Sequence, residues 1–298
     1  MIDLTVFTPS YNREELLKRL YKSLQRQTDK RFIWMVIDDG STDHTREEVT
    51  AWAAENKDFP VLYYYKENGG LHTAYNEAIA HIETPLCVCI DSDDWMPDDA
   101  VEKILKFWKA NGSEEVAGIV GLDCTPDGQV IGDRLPEWKT INLIDLLTGK
   151  AGIRNGDRTN VVRTELYRRF APMKVFPGEK NFNPHYMHLQ ISQEYNFLVL
   201  NECLRIVEYQ PQGMTNSMLK QYRNSPNSFA EIRKQYLSFP DTSFRFRFRH
   251  SVHLASSCIL AGRAAGGIKE NPHKGTAILA FPFGWLLSLY VRMKAPKQ

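Results

Sequence analysis

Short apolar runs alternate with stretches of helical spacing through the first third of the chain. The runs are rich in β-branched and other apolar residues, and they predict strands at residues 4–8, 32–37, 61–65 and 86–90. In the intervening stretches apolar residues recur every three or four positions. This spacing predicts helices at residues 14–27, 42–56 and 71–82. The chain therefore begins with a regular β/α alternation.

The predicted strands are apolar on both faces, which is typical of a mostly parallel sheet covered by helices. From residue 116 strands and helices mix less regularly, with strand-like runs at 116–122, 198–200 and 204–209. After residue 213 the strand signal fades and the pattern becomes helical. We therefore expect an α/β fold with a mostly parallel central sheet flanked by helices, followed by a mainly helical C-terminal extension.

Each of the four predicted strands ends in a loop rich in Asp, Asn, Ser or Gly. These loops contain Tyr11-Asn12, Asp38-Asp39-Gly40-Ser41, Asn68-Gly69-Gly70 and Asp91-Ser92-Asp93-Asp94. Ligands of open α/β sheets bind beyond the carboxyl ends of the strands, where such loops converge. The sequence therefore predicts a polar site along one rim of the sheet.

Composition narrows the choice of function. The 298 residues carry a formal net charge of +1, which gives no indication of a nucleic-acid partner. Five cysteines form no CxxC pair, and Cys87 and Cys89 lie inside an apolar run, as expected for strand packing in a reducing cytoplasm. The first residues lead straight into a strand without a basic or long apolar leader, so we expect a cytoplasmic protein.

The acidic string Asp91-Ser92-Asp93-Asp94 is the central chemical feature. Carboxylates crowded at the end of a buried strand repel one another, and a divalent cation relieves that repulsion. Mn²⁺ or Mg²⁺ prefers a few carboxylate oxygens together with phosphate oxygens, and it neutralises charge on a departing diphosphate. The alternative is a solvated acidic loop that caps the helix beginning near Pro97.

The other loops suit a nucleotide. Tyr11 offers an aromatic face on which a base can stack. A carboxylate of Asp38 or Asp39 can accept from a base N–H, although capping of the next helix is the alternative for one of these acids. Asn68-Gly69-Gly70 allows close backbone approach to a ligand, or forms a simple turn. Neither a dinucleotide-binding GxGxxG nor a P-loop sequence occurs in this region.

Four segments in order resemble the successive motifs of glycosyltransferase family 2. They are Val6-Phe7-Thr8-Pro9-Ser10-Tyr11-Asn12-Arg13, Val36-Ile37-Asp38-Asp39-Gly40-Ser41-Thr42-Asp43, Asn68-Gly69-Gly70 with Ala74 and Asn76, and Asp91-Ser92-Asp93-Asp94. The resemblance is strong over residues 1–110 and weaker to about residue 215. It implies a GT-A fold and inverting transfer of a sugar from a nucleoside-diphosphate sugar, often a uridine nucleotide, to an acceptor hydroxyl.

The resemblance also assigns roles to residues. Pro9 and Tyr11 would frame the base, Asp39 would bond to its edge, Asp91 would lie near the ribose and diphosphate, and Asp93 would hold Mn²⁺ or Mg²⁺. The remaining expected contacts to the nucleotide-sugar are Thr8, Asn68, Gly69, Ser92 and Arg158. Residues 1–110 would form the nucleotide-binding half and 111–212 the acceptor half of a catalytic domain, with the helical extension at 213–298.

The catalytic base is less clearly marked, because the family's Glu-Asp pair is missing from the segment before the helix predicted at 186–195. Glu179 is the first choice, and His185, at the start of that helix, is the second. An ion pair with Lys180 or a nearby arginine is the alternative role for Glu179. Arg158 suits an anion, with a structural salt bridge as its alternative.

The C-terminal region raises the question of a membrane. Residues 244–249 alternate Phe and Arg, which on a strand would separate the two types onto opposite faces. Residues 277–291 are mostly apolar and are followed by Arg292, Lys294 and Lys297. Aromatic residues beside cations predict a peripheral anchor on an anionic membrane surface. Packing on the catalytic domain or on a second copy in a homo-oligomer is the alternative.

Two other functions stay open at this point. A nucleotidyltransferase that forms sugar nucleotides also combines an α/β sheet with metal carboxylates, but it needs a basic, Gly-rich loop after the first strand, which residues 9–13 lack. The missing Glu-Asp pair leaves room for a nucleotide-sugar binding module without catalysis. The expected partners of an enzyme are a nucleotide-sugar donor and a saccharide or lipid-linked saccharide acceptor.

Overall fold

The computed structural model describes residues 2–154, 156–208 and 218–295. The chain divides into two compact units. The first comprises Met1–Gly69, Thr73–Met173 and Met187–Tyr209. The second comprises Gly70–His72, Lys174–Tyr186 and Gln210–Gln298. The boundary predicted between residues 212 and 213 lies outside the described residues.

An eight-stranded sheet forms the centre of the first unit. In chain order its strands are β1 (Leu4–Ser10), β2 (Phe32–Asp38), β3 (Val61–Tyr65), β4 (Leu86–Cys89), β5 (Val116–Cys124), β6 (Thr140–Ile141), β7 (Arg158–Arg163) and β8 (Asn196–Ile206). Their order across the sheet is β3-β2-β1-β4-β7-β5-β8-β6. β7 and β6 run antiparallel to their neighbours, and the other pairs are parallel. The mostly parallel sheet predicted from the sequence is confirmed.

Helices flank this sheet and connect its strands. They are α1 (Glu14–Gln25), α2 (Thr45–Glu55), α3 (Leu71–His81), α4 (Ala100–Asn111), α5 (Leu143–Thr148), α6 (Thr164–Phe170) and α7 (His185–Ile191). α1 buries Leu17, Leu20 and Leu24 at the spacing of one helical face. Tyr21 of the same helix stacks on Trp34 of β2 and on Trp52 of α2, with ring centroids 5.6 and 4.6 Å away, and the two tryptophan rings lie 5.8 Å from each other.

The boundaries of two elements differ from the predicted ones. α2 begins at Thr45 rather than Thr42, because the Asp43 carboxylate accepts hydrogen bonds from the Thr45 amide and hydroxyl. The two short runs predicted near the end of the sheet form one strand, β8. Irregular register against β5 lets β8 continue through its polar middle.

The second unit is helical in its C-terminal part, with α8 (Met218–Asn224), α9 (Pro226–Ser238), α10 (Phe244–Leu260), α11 (Gly266–Lys269) and α12 (Lys274–Lys294). A small core of Ala230, Leu237, Leu254 and Cys258 joins α9 to α10. The alternating Phe-Arg run is helical rather than extended. Its start is fixed by Ser243, whose hydroxyl accepts from the Phe246 amide at 3.1 Å.

Candidate functional site

The carboxyl ends of β2, β1 and β4 lie side by side at one rim of the sheet. The Asp39 amide donates to the Ser10 carbonyl at 2.8 Å, and the Ile90 amide donates to the Phe7 carbonyl at 3.1 Å. β1 is the strand between β2 and β4, so the loops after β2 and β4 are separated by two strand spacings, about 10 Å. β3 lies parallel to β2 on its other side, so all four predicted polar loops follow adjacent strands of one rim.

The loop after β3 folds onto Asp39. The buried Asp39 carboxylate accepts from the Gly69 amide at 2.9 Å and from Lys66 Nζ at 2.6 Å. The Asn68 amide group donates to the Asp39 carbonyl at 2.7 Å. Asp39, Asn68 and Gly69, which the sequence assigned to one pocket, thus form one hydrogen-bonded cluster. Lys66 was not predicted; a lysine directly after an aromatic strand was its signal.

Gly40 permits this close approach of two loops. Its φ of +84° lies in the left-handed region, and a Cβ at this position would lie 2.8 Å from the backbone nitrogen of Asn68. A larger residue would meet both a strained backbone and a backbone atom that cannot move aside. The Asp-Gly step after β2 is therefore required for the loop at residues 68–69 to reach Asp39.

Asp38, the neighbouring acid, has a structural position. Its carboxylate accepts from the Ser41 amide at 2.7 Å and from the Tyr63 hydroxyl at 2.6 Å. Burial, followed by the hydrogen bond to Asp38, raises the pKa of Tyr63 to about 12, so the phenol stays protonated and keeps donating. Asp38 thus holds the turn that presents Asp39.

A buried arginine organises the acids that follow β4. Arg205, near the end of β8, approaches Asp91 at 3.2 Å and Asp94 at 3.4 Å, and it also forms an ion pair with Asp123 of β5. Asp123 is fully buried and additionally accepts from the Thr159 hydroxyl at 2.6 Å. Arg205 and Asp123 were not predicted. Both lie near the end of a mostly apolar strand, and Asp123 is the single charged residue of β5.

Crowding shifts the ionisation of this group. Desolvation raises the pKa of Asp91, with Arg205 opposing and the charge of Asp93 adding to the shift. Burial raises the pKa of Asp94 to about 8, again against the attraction of Arg205. Desolvation lowers the pKa of Arg205, but the three carboxylates outweigh it and hold that pKa well above its usual value. One cation therefore serves more negative charge than it can neutralise.

Asp93 belongs to the same acidic loop after β4, and its backbone carbonyl is held by a hydrogen bond. Its carbonyl accepts from Arg19, whose guanidinium lies 4.0 Å from the Trp95 ring centroid and pairs with Glu208. Among the described residues no hydrogen bond or ion pair engages the half-buried Asp93 carboxylate. An open carboxylate beside acids of raised pKa fits a hard divalent cation.

Among the residues that the structure describes, no three or more His, Cys, Asp or Glu side chains are grouped so that they alone could hold a metal ion. A cation held through Asp93 would therefore need further oxygen ligands from a bound diphosphate or from water. Mn²⁺ and Mg²⁺ are commonly held in this way, through one or two carboxylates and substrate phosphates. The residues present fit such a substrate-completed site rather than a closed protein cage.

Four other predicted contact residues lie on the strand tips. Thr8 is buried, and its hydroxyl accepts from the Trp34 indole at 3.1 Å, so its side chain belongs to the core. Pro9 is buried in β1 opposite Ile37, and Ser92 is buried in the loop after β4. Tyr11 is 49% exposed just beyond β1. Of these side chains, Tyr11 has the exposed face that base stacking requires.

Arg158 is the first residue of β7, and its side chain donates hydrogen bonds to backbone carbonyls. Its guanidinium donates to the Ile131 carbonyl at 2.8 Å and to the Asp133 carbonyl at 2.6 Å. Burial lowers the pKa of this group, and the nearby charges of Asp123, Asp157 and Asp133 oppose that shift. These contacts show Arg158 anchoring the 131–133 turn.

Glu179, the first choice for the base, is buried in the second unit. One carboxylate oxygen accepts from the Asn227 amide at 2.8 Å and from its side chain at 2.9 Å. The other accepts from the Ser228 amide and hydroxyl, both at 2.7 Å. Asn227 and Ser228 begin α9, so the carboxylate caps the positive end of that helix. The ion pair with Lys180 considered as its alternative role is not among these contacts.

His185, the second choice, is the first residue of α7. The Asn183 side chain accepts from the His185 amide at 2.9 Å and so fixes the start of the helix. Burial lowers the pKa of His185 to about 4. The imidazole is therefore uncharged near neutral pH, which is the form that accepts a proton.

Comparison with protein families identifies the chain. The family model described as Glycosyl transferase family 2 matches residues 5–172, more than half of the chain. Chondroitin synthase of Pasteurella multocida (strain Pm70) is 28% identical over 137 residues, which are 45% of this chain and 14% of that protein. The chain therefore corresponds to a small part of this relative.

Solved structures share the fold. Staphylococcus aureus TarS 1–349 in complex with UDP-GlcNAc superimposes with a TM-score of 0.61 at 18% identity, covering 98% of this chain and 84% of that one. The mannosyltransferase PcManGT from Pyrobaculum calidifontis, in complex with GDP-Man and Mn²⁺, gives a TM-score of 0.59 at 17% identity, covering 99% and 88%. At such identities the likeness establishes the GT-A fold, which confirms the fold class.

Proposed function

This chain belongs to glycosyltransferase family 2, and from that premise we propose that it transfers a sugar from a UDP-sugar to an acceptor hydroxyl with inversion at the anomeric carbon. One observation carries the proposal. The Asp93 carboxylate is open, and it lies beside acids that share Arg205, at the same rim as the cluster of Asp39, Asn68 and Gly69. This arrangement suits a diphosphate and its cation.

The nucleotide is proposed to lie along the tips of β1 and β2. Tyr11 provides an exposed ring on which the base stacks. Asp39 accepts from the base edge, and it is oriented for this by Lys66 and the Gly69 amide. The complexes of TarS with UDP-GlcNAc and of PcManGT with GDP-Man support a nucleotide-sugar donor for this chain.

The diphosphate is proposed to lie at the loop after β4. Asp93 is the residue that would hold Mn²⁺ or Mg²⁺, and the PcManGT complex with Mn²⁺ supports this choice of ion. When bound, the cation neutralises charge that develops on the leaving diphosphate. Arg205 keeps the neighbouring acids in place, because each carboxylate it contacts loses freedom to turn away.

We assign the base to His185 in preference to Glu179. Both Glu179 oxygens are occupied by strong hydrogen bonds at the start of α9, and taking up a proton there would break at least one of them. Burial lowers the pKa of His185 to about 4, so its imidazole is uncharged at pH 7 and accepts a proton as a weak base. In the proposed single displacement its imidazole removes the acceptor proton as the oxygen attacks the anomeric carbon.

The acceptor is proposed to be a saccharide or a lipid-linked saccharide in the synthesis of a bacterial surface polysaccharide. The relative named as a chondroitin synthase supports polysaccharide chemistry. The proposed location is the cytoplasm, at the inner face of the cell membrane, where nucleotide-sugars are available.

A donor screen tests this function. Purified protein is incubated with a panel of UDP- and GDP-sugars and saccharide acceptors, with Mn²⁺ or with EDTA, and released nucleotide is identified by chromatography. We expect UDP to be released from one UDP-sugar in the presence of Mn²⁺ and not with EDTA. Proton NMR of the product should show the anomeric configuration opposite to that of the donor.

Other outcomes of the screen reject the proposal in distinguishable ways. Release of pyrophosphate from UTP and a sugar phosphate identifies a nucleotidyltransferase. A nucleotide-sugar that raises the melting temperature but is never consumed, with or without added saccharide acceptors, identifies a binding module. Retained configuration with UDP release overturns the single displacement while leaving the donor assignment intact.

A further inference from the structure

Helix α12 has its small residues inside and its large apolar residues outside. Its buried positions are spaced three, four, four and three residues apart, at Ala277, Ala280, Gly284, Ser288 and Val291. On the opposite face Ile278, Leu279, Phe283 and Leu286 are each between 53% and 60% exposed. A helix on a water-exposed surface normally shows the reverse, because its apolar stripe faces the core.

The small inner face is explained by close contact with α10. A Cβ on Gly284 would lie 2.6 Å from the Ala255 Cβ and 2.8 Å from the Val252 carbonyl oxygen, so the two helices approach nearly backbone to backbone. Packing against α10 therefore requires small residues on one side of α12. This packing does not explain the large apolar residues on the exposed side of the helix.

The outer face continues onto α10. Phe248 of α10 lies 5.6 Å from Phe283 and 5.9 Å from the exposed Phe244, between ring centroids. We call Phe244, Phe248, Ile278, Leu279, Phe283, Leu286 and Tyr290 the outer apolar face. Patches of this kind mark interaction surfaces, because single exposed apolar residues are common but contiguous ones are not.

The charges on these two helices have one sign. Neither α10 nor α12 contains Asp or Glu. Arg245 and Arg249 of α10 are exposed, and so are Lys274, Arg292 and Lys294 of α12. An apolar face accompanied by cations and free of acids is complementary to a surface with an apolar interior and anionic headgroups.

We propose that the outer apolar face binds the surface of an anionic lipid bilayer, with α10 and α12 lying in the plane of the interface. α12 is long and apolar enough to cross a membrane. Spanning would carry the closely packed α10, with its arginines and histidines, into hydrocarbon at high cost. Shallow immersion buries the exposed side chains and keeps the cations at the headgroups.

Vesicle flotation tests the proposal with the full chain. We expect the protein to float with vesicles of phosphatidylcholine and phosphatidylglycerol at low salt, less at high salt, and little with phosphatidylcholine alone. The double variant Leu279→Glu/Leu286→Glu should weaken binding on the order of tenfold or more, because it places charge in the immersed face. The double variant Arg245→Gln/Arg249→Gln should weaken it roughly fivefold per arginine.

A matched control adds the same charge elsewhere. Trp138 and Val175 are 50% and 57% exposed and lie outside the outer apolar face. Trp138→Glu/Val175→Glu should float like the wild-type protein. Circular dichroism confirms that each variant is folded, and UDP release from the donor, measured without vesicles, keeps this test separate from that of the proposed transfer reaction.

Four results would overturn the proposal. One is absence of flotation at low salt by folded wild-type protein. Another is equal flotation of the Leu279→Glu/Leu286→Glu and control variants. The third is a dimer in analytical ultracentrifugation that the leucine variant abolishes while no vesicle binding is seen, which would assign the face to a second copy. Resistance of bound protein to alkaline extraction would replace interfacial binding by insertion.

Discussion

Carboxylates are held in opposite ways in the two units of this chain. At the strand tips of the first unit, Asp91, Asp94 and Asp123 share the guanidinium of Arg205, and the carboxylate of the adjacent Asp93 stays open. In the second unit Glu179 receives four hydrogen bonds from the first turn of α9. Several acids thus compete for one cation at the first place, whereas at the second a single carboxylate has both oxygens hydrogen-bonded.

The contrast separates acids that can act on a ligand from acids that hold structure. A carboxylate with both oxygens occupied has little capacity for a cation or a proton, whereas a group of acids with one cation gains from binding another. Sequence position alone ranked Glu179 as a catalytic residue. Its contacts show that it caps a helix. Substitutions at four positions and one titration test the difference.

The largest effect is expected at Asp93. Asp93→Asn removes the open negative charge while keeping the size of the side chain, so transfer should fall by about 1,000-fold or more, with little change in melting temperature. UDP release is the measurement. Asp98→Asn, which removes a surface acid paired with Arg26, is the control and should stay within about twofold of wild type. Near-normal turnover by Asp93→Asn would contradict the assigned role.

Arg205→Met should destabilise the rim most. It leaves three carboxyl groups without their shared cation, and loss of one partner from a buried ion pair typically costs about 3–5 kcal/mol. Urea unfolding followed by circular dichroism measures the loss. Arg154→Met removes an exposed pair with Asp133 and should cost less than about 1 kcal/mol. Equal stability of the two variants would mean that the cluster needs no internal cation.

Substitution of Glu179 should reduce stability more than transfer, and substitution of His185 should reduce transfer more than stability. Glu179→Ala removes the acceptors of four hydrogen bonds, so we expect a loss of about 2–4 kcal/mol in unfolding free energy. Glu179→Gln keeps one acceptor oxygen and should lose less stability, with transfer by the folded protein within about fivefold of wild type. His185→Gln should keep its stability and lose transfer by about 100-fold or more. The reverse pattern would restore Glu179 as the base.

The last test concerns the acid sensitivity of the helical unit. Burial, reinforced by Arg233, lowers the pKa of His250 to about 3 and of His253 to about 4. Both are neutral in the folded protein but take up protons near pH 6.5 when unfolded. Their contribution is therefore intact above about pH 6.5 and is lost as the pH falls towards 4, by up to about 1.4 kcal/mol per pH unit for each histidine.

Urea unfolding at several pH values between about 7 and 4 measures this slope. His250→Gln, which removes one of the two titrating groups, should make the unfolding free energy less dependent on pH over the same interval. An unchanged slope in this variant would show that the acid sensitivity arises elsewhere.

Local patterns predicted those parts of the fold that depend on neighbours in the chain. The apolar runs around Phe7, Val36 and Val88 became parallel strands, because a strand apolar on both faces is stable only inside a covered sheet. The loops after them converged for the same reason, since parallel strands end at one rim. The hydrogen bond from the Gly69 amide to Asp39 was not predicted, although both residues lie in predicted loops that follow adjacent strands.

Contacts between residues far apart in the chain could not be predicted from the local sequence pattern. Arg205 lies 114 residues from Asp91, and nothing local to either indicates the other. Glu179 meets α9 across 48 residues. The alternating Phe-Arg run resembled a strand, but a helix there pairs Phe244 with Phe248 and packs against α12, which no alternation along the chain reveals.

The sequence by itself determined the α/β class, the strands whose ends build this rim, and the acids at their tips, because these follow from the period of apolar residues and from turn chemistry. Tertiary structure alone decided which acids are compensated and which stay open, and which face of α12 is turned outward. Charge compensation and burial depend on distances between residues remote in the chain, and only the packed fold sets those distances.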